Sequence, residues 1–157
     1  MTIIEFSDFQ CPFCRQSASE IDSVMRLYPG KITHVYRYFP LAAVHPQAMM
    51  AAVAAECAGQ QGRFRAFHDA LFADQEALGT RPWVAFAVSA GVADTTSFAH
   101  CVADSAKVMP RIRVDIAAGQ ELGVEGTPAL LINDHFFSGV PGEDQLRQMV
   151  AAAIAGR

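Results

Sequence analysis

Two cysteines separated by two residues are the part of this sequence best suited to chemistry. Cys11 and Cys14 flank the dipeptide Pro12-Phe13, between a β-rich segment and a segment with helical spacing. The free N–H groups and the dipole of a helix N-terminus favour negative charge, so the pKa of Cys11 should fall there. Pro12 suits the first helical turn, where its missing N–H is not needed.

This spacing predicts thiol–disulfide exchange. Cys11 is expected to be the nucleophile, and Cys14, one turn further on, the thiol that resolves a mixed disulfide formed at Cys11. The alternative is half of a structural zinc site, which needs four ligands and often uses two such pairs. Cys57 and Cys101 form no second pair of this kind, and the five histidines have no metal-binding spacing. Redox chemistry is therefore favoured, and no metal is expected.

Composition predicts one folded domain over residues 1–157. The 157 residues are 52% hydrophobic and 18% charged, which is enough apolar material for a sizeable core. The net charge of −4 comes without any basic run, so nucleic acid is not expected as a partner. No apolar run approaches the length of about 18 residues that a membrane span needs. Residues 1–6 do not read as a signal peptide, which leaves open a cytoplasmic protein or a mature form whose leader was removed.

The elements that must position the cysteines follow from periodicity. Segments 2–7 and 31–39 predict strands on either side of a helix over 11–28. Five helices are predicted between about 46 and 122. Strands over 128–132 and 135–138, joined by a turn, then precede a helix over 143–155. The order β-α-β, helices, β-β-α predicts an α/β protein whose first two strands are parallel.

The active-site segment and one loop resemble a known family. Residues 5–14, which read EFSDFQCPFC, resemble the active-site segment of DsbA-type oxidoreductases in the thioredoxin superfamily. Gly126-Thr127-Pro128 is similar to the cis-proline loop of that superfamily, and residues 54–72 resemble its helical insertion. The resemblance implies a thioredoxin-like fold, with residues of about 46–122 inserted between the second strand and the cis-proline strand.

The resemblance also implies a function. It implies a protein disulfide oxidoreductase that needs no cofactor beyond its redox-active disulfide and works in the periplasm or otherwise outside the cytoplasm. Its partners would be protein substrates with thiols or disulfides, and a redox partner that resets the active site. A disulfide donor is expected. A reductase or isomerase of the same fold is the alternative, and a non-catalytic thioredoxin-like binding or metal-binding module is a more distant one.

The cis-proline loop carries two predicted site residues. The resemblance implies that the Thr127–Pro128 bond is cis, with Pro128 against the cysteine sulfurs. Without it, a trans proline opening a strand would be favoured, because few X–Pro bonds in folded proteins are cis. Thr127 is expected to offer backbone groups to a bound peptide.

The sequence also makes predictions for three residues near the cysteines. Glu5 is either an exposed strand carboxylate or, as the resemblance implies, a buried acid that moves a proton to or from Cys14. Asp8 is expected to be a loop carboxylate. Phe13 stands where relatives often carry a histidine, which argues against very strong oxidising power and favours a potential between those of thioredoxin and DsbA.

Cys57 and Cys101 leave two interpretations open. Buried free cysteines are common and inert. Some proteins that this chain resembles carry instead a second, structural disulfide between two helices. The sequence does not give the Cα separation that would decide between the two.

Overall fold

The computed structural model describes residues 1–156 and centres on a four-stranded sheet of order β2-β1-β3-β4. Strands β1 and β2 are parallel, whereas β3 is antiparallel to both of its neighbours. The parallel pair requires a crossover, which the first helix supplies. The strands are β1 (Thr2–Ser7), β2 (Thr33–Tyr38), β3 (Ala129–Ile132) and β4 (His135–Ser138).

Two helices cover one face of this sheet. They are α1 (Pro12–Leu27), which follows β1, and α7 (Glu143–Ala155), which ends the described chain. Buried residues recur along α1 at helical intervals, so one stripe of the helix faces the sheet. Because side chains alternate along a strand, this face of β1 carries its odd-numbered residues. The core between the sheet and both helices contains Ile3, Ile21, Val24, Leu130, Ile132, Leu146 and Val150.

Five α-helices lie between β2 and β3, as the predicted insertion requires. Helix α2 is largely buried, and α6 covers the second face of the sheet beside Phe6 and Phe39. The predicted helix over 105–122 is divided, because residues 105–107 form a 3-10 turn and Pro110 stands in the first turn of α6. The helices are α2 (Ala48–Gly59), α3 (Phe64–Ala73), α4 (Trp83–Ser89), α5 (Thr95–Ala103) and α6 (Met109–Glu121).

A disulfide joins two helices of the insertion. Cys57 of α2 is bonded to Cys101 of α5, and their Cα atoms are 5.9 Å apart, which is within the usual range for a bridge. Of the two interpretations left open by the sequence, the structure has the bonded pair. Within residues 1–156, no helix combines the length and the apolar character that crossing a membrane would require.

Candidate active site

The end of β1 and the start of α1 bring Cys11 and Cys14 together. Cys11 is the N-cap residue of α1, and Cys14 lies in its first turn. Both are free thiols in this structure. Cys14 is fully buried, whereas Cys11 keeps 4% of its surface exposed. The backbone N–H of Asp8 donates to Cys14 Sγ over 3.3 Å. Of the two sulfurs, Cys11 is therefore the one that an approaching molecule meets first.

The surroundings shift the two thiols in opposite directions. A hydrogen bond from the Cys14 side chain, with help from Thr127 and the backbone N–H of Phe13, lowers the pKa of Cys11 from 9.0 to about 5, although burial opposes the shift. Burial raises the pKa of Cys14 well above its ordinary value, the neighbouring Cys11 raises it further, and the hydroxyl of Ser7 opposes this. Near neutral pH the pair is therefore a thiolate beside a thiol.

The loop before β3 closes over the exposed side of Cys11. The Thr127–Pro128 bond is cis, as the resemblance implies, and Cys11 Sγ lies 3.4 Å from the carbonyl oxygen of Thr127, to which the thiol donates when it is protonated. A cavity of about 440 Å³, called here the front groove, opens beside these residues. Phe13 is 64% exposed and forms part of its wall together with Gln16, Thr127, Pro128, Gly139 and Val140.

Glu5 is buried behind the cysteine pair, as its resemblance to the family's acidic residue implies. Its side chain is fully buried, with Oε2 at 3.0 Å from His34 Nε2 and Oε1 accepting a hydrogen bond from Ser7 Oγ over 3.3 Å. Glu5 is therefore held by one hydrogen bond from Ser7 and one contact with His34.

Asp8 is a buried anchor, whereas the sequence marks it only as a loop carboxylate. It is 1% exposed. Its Oδ1 accepts a hydrogen bond from the backbone N–H of Gln10 over 2.7 Å. Its Oδ2 accepts one from the backbone N–H of Leu41 over 2.9 Å and lies 2.8 Å from His45 Nδ1. These contacts hold the loop after β2 against the loop that carries Cys11. Asp8 therefore lies in a loop, as the sequence predicts, and its contacts also anchor that loop.

The sequence analysis does not identify two further residues that hold parts of the site in place. The side-chain amide of Gln75 donates to the carbonyl oxygens of Phe9 and Cys11 over 2.8 and 2.9 Å, so the insertion fixes the backbone around the exposed thiol. Nothing in the local sequence marks this glutamine. Ser7 could have been found, since strand alternation puts it on the same face as Glu5.

Comparison with known proteins identifies the family to which this chain belongs. The profile of a family described as thioredoxin matches residues 1–152. The chain belongs to the thioredoxin family. A thioredoxin-like oxidoreductase from Silicibacter pomeroyi is 29% identical with a TM-score of 0.80, and the match covers 98% of this chain and 86% of that one. The thiol–disulfide exchange protein alpha-DsbA2 from Wolbachia pipientis is 24% identical with a TM-score of 0.84, covering 97% and 81%. The chain shares the fold of both proteins.

A region similar to this chain is found in a much longer protein. The Na(+)/H(+) antiporter NhaA 1 of Mycolicibacterium gilvum is 36% identical over 134 residues, which cover 85% of this chain and 22% of the antiporter. The chain thus spans about a fifth of the length of that relative, and the name antiporter describes the longer protein.

Proposed function

We propose that this protein exchanges disulfides with protein thiols through Cys11 and Cys14 and acts as a disulfide donor. One observation carries the proposal: the pKa of Cys11 is lowered to about 5, while Cys14 is held as a buried thiol. A cysteine with a low pKa is a good leaving group, and stabilising its thiolate stabilises the reduced form of the pair. Both effects favour passing the disulfide to a substrate.

The proposed reaction has two exchange steps. A substrate thiolate attacks Cys11 of the oxidised protein, the bond between Cys11 and Cys14 breaks, and Cys14 leaves with the electron pair and takes up a proton. A second substrate thiolate then attacks the substrate sulfur of the mixed disulfide, and Cys11 leaves as a thiolate. The substrate loses two electrons and gains a disulfide, and a redox partner must take those electrons from the protein before the next cycle.

The other residues of the site have supporting roles in this proposal. The front groove holds the substrate peptide, with the backbone of Thr127 beside it and Pro128 against the sulfurs. Pro12 and Phe13 shape the first turn of α1, and Glu5 exchanges the proton of Cys14. No cofactor takes part beyond the redox-active disulfide. The disulfide between Cys57 and Cys101 suits an oxidising compartment, so we place the activity in the periplasm or otherwise outside the cytoplasm.

The reduction potential of the Cys11–Cys14 pair tests the proposed direction. It is measured in glutathione buffers on a variant with Cys57→Ala and Cys101→Ala, so that only one pair titrates. We expect a value well above the roughly −270 mV of thioredoxin and below the roughly −120 mV of DsbA. A value near that of thioredoxin would contradict the donor and favour a reductase or isomerase. Cys11→Ser should abolish the oxidation of a reduced dithiol peptide, and activity retained by this variant would contradict exchange through Cys11.

A further inference from the structure

The short segment between β1 and α1 carries the reactive thiol. It consists of Asp8, Phe9, Gln10 and Cys11, which lie between the last residue of β1 and the first of α1. Within the segment, the backbone N–H of Cys11 donates to the carbonyl oxygen of Asp8 over 3.1 Å. Phe9 and Cys11 are 1% and 4% exposed, so their carbonyl groups need hydrogen-bond partners inside the protein. The shape of this segment therefore depends on other parts of the chain.

One side chain of the insertion is a partner for both carbonyl groups. The amide of Gln75 has two N–H bonds to donate. Its nitrogen lies 2.8 Å from the carbonyl oxygen of Phe9 and 2.9 Å from that of Cys11, and both distances are typical of good hydrogen bonds. The amide thus joins the carbonyl groups before and after Gln10, and the backbone torsions of Gln10 and Cys11 lie between these two points.

Gln75 is itself held in place by the insertion. It begins the 3-10 turn Gln75–Ala77, and the N–H of Leu78 donates to its carbonyl oxygen over 3.2 Å. Leu78 is buried in the same apolar core as the two active-site cysteines. Arg15 of α1 and Glu76 form an exposed ion pair beside it at 3.3 Å, which contributes little to stability. The Gln75 amide is therefore a fixed point to which the segment is attached.

The position of Cys11 Sγ depends on the torsions that Gln75 restrains. Cys11 is the N-cap residue of α1, where the free N–H groups of the first turn and the helix dipole favour a thiolate. Helix α1 fixes the carbonyl group of Cys11 through hydrogen bonds from the N–H groups of Cys14 and Arg15. Gln75 ties that same carbonyl group to the incoming chain. A change in the turn before α1 would therefore move Sγ relative to the helix N-terminus.

We propose that Gln75 is a positioning residue of disulfide exchange, because its amide holds the turn from Phe9 to Cys11 in the shape that places Sγ at the N-terminus of α1. The inference rests on the proposed disulfide exchange and makes the ionisation of Cys11 depend on a residue of the insertion. Without the amide the turn is freer, so the thiolate is less well stabilised and the reduced form of the pair is disfavoured.

Gln75→Met tests this role, because methionine has nearly the length of glutamine and no N–H to donate. We expect the ionisation midpoint of Cys11, followed by absorbance at 240 nm, to rise by about one pH unit, the size of about one net hydrogen bond. The equilibrium constant for reduction of the pair by glutathione at neutral pH should fall by about tenfold. Alkylation of Cys11 followed by mass spectrometry measures this constant on the full chain.

Gln61 provides a matched control within the insertion. Its side chain also makes two hydrogen bonds to the backbone, since it donates to the carbonyl oxygen of Asp94 over 2.9 Å and accepts from the N–H of Asp94 over 3.0 Å. Gln61→Met should lower the free energy of unfolding and leave the midpoint and the glutathione equilibrium unchanged. Equal shifts in Gln61→Met and Gln75→Met would overturn the positioning role, because a general loosening of the insertion would then explain them.

A second substitution separates positioning from stability. Gln75→Ser is polar but too short to reach either carbonyl group, so it should give the same shifts as Gln75→Met, and it carries the test if Gln75→Met does not fold. A purely structural role would lower the free energy of unfolding of both redox forms and leave the midpoint and the equilibrium constant unchanged. That result would overturn the positioning role and leave disulfide exchange standing. If the wild-type pair failed to exchange with glutathione, the proposed function itself would fall.

Discussion

At the scale of single residues, the site works by making two chemically identical side chains different. Cys11 lies at the N-terminus of α1 and collects hydrogen bonds, whereas Cys14, three residues later, is enclosed by the core. A histidine in place of Phe13 would add a charge beside Cys11. Hydrogen bonds from Cys14, Thr127 and the backbone lower the pKa of Cys11 without that charge.

The ionisation of Cys11 can be measured directly. A thiolate absorbs at 240 nm, and titration of the reduced protein should give a midpoint near pH 5, the value to which the pKa of Cys11 is lowered. Cys14→Ala should raise the midpoint, because the hydrogen bond from Cys14 is the largest cause of the shift. Cys11→Ala is the control and should show no transition in this range. A wild-type midpoint near pH 9 would contradict the arrangement of hydrogen bonds described here.

The sequence predicts the reacting residues of this site better than their supports. The cysteine pair is a short motif, so Cys11 and Cys14 can be named from the chain alone, whereas Pro128 is named from the resemblance of residues 126–128 to the cis-proline loop. The roles of Gln75 and Asp8 depend on partners that are more than 30 residues away along the chain. Only the tertiary fold brings such partners together, and no local pattern indicates them.

At the scale of elements, hydrophobic periodicity predicts which helices and strands exist and in what order, whereas the residues at which they begin and end depend on local contacts. Strands over 2–7 and 135–138 and the helix over 143–155 have the predicted bounds. The second strand was predicted over 31–39 but pairs with β1 only from Thr33 to Tyr38. It is shorter because β1, which supplies the hydrogen-bonding edge, is itself only six residues long.

Helix α6 packs so closely on the sheet that one glycine is needed in it. A Cβ at Gly119 would lie 2.6 Å from Phe39 Cδ2 and 3.1 Å from Phe6 Cδ1. Gly119→Ala should therefore lower the free energy of unfolding by about 1–3 kcal/mol, the usual cost of overpacking. Urea denaturation followed by circular dichroism measures this change.

Gly59 of α2 provides the matched control for that substitution. A Cβ there would meet Phe64 Cβ at 3.5 Å, an ordinary contact. Since alanine is the better helix former, Gly59→Ala should be neutral or stabilising by up to about 1 kcal/mol. Equal effects of the two substitutions would contradict the close contact between α6 and the sheet.

At the scale of the whole molecule, the insertion and the thioredoxin-like sheet share the active site. Cys11 and Cys14 belong to the same apolar core as Phe67, Leu71 and Phe98 of the inserted helices. The reactive thiols therefore lie where the two parts of the chain meet, and their ionisation is linked to the folding of both. The sequence predicts that both parts exist, but the enclosure of Cys14 follows only from how they pack together.

This linkage makes the stability of the reduced protein depend on pH. In the folded reduced protein Cys11 loses its proton near pH 5, whereas in the unfolded chain it does so near its ordinary value of 9.0. Between these values the unfolded state binds one more proton, so the free energy of unfolding rises with pH, by up to about 1.4 kcal/mol per pH unit. The contribution is complete near pH 9 and is lost as the pH falls through about 5.

Comparison with the oxidised protein isolates this effect. Carboxylates and histidines titrate in both redox forms, whereas Cys11 and Cys14 titrate only in the reduced form. We therefore expect the free energy of unfolding of the reduced form, minus that of the oxidised form, to increase from pH 5 to pH 8. Above the ordinary thiol pKa the trend should reverse, because burial raises the pKa of Cys14 in the folded state. Guanidinium denaturation of both forms measures the difference, and a difference that does not change between pH 5 and pH 8 would contradict the lowered pKa of Cys11.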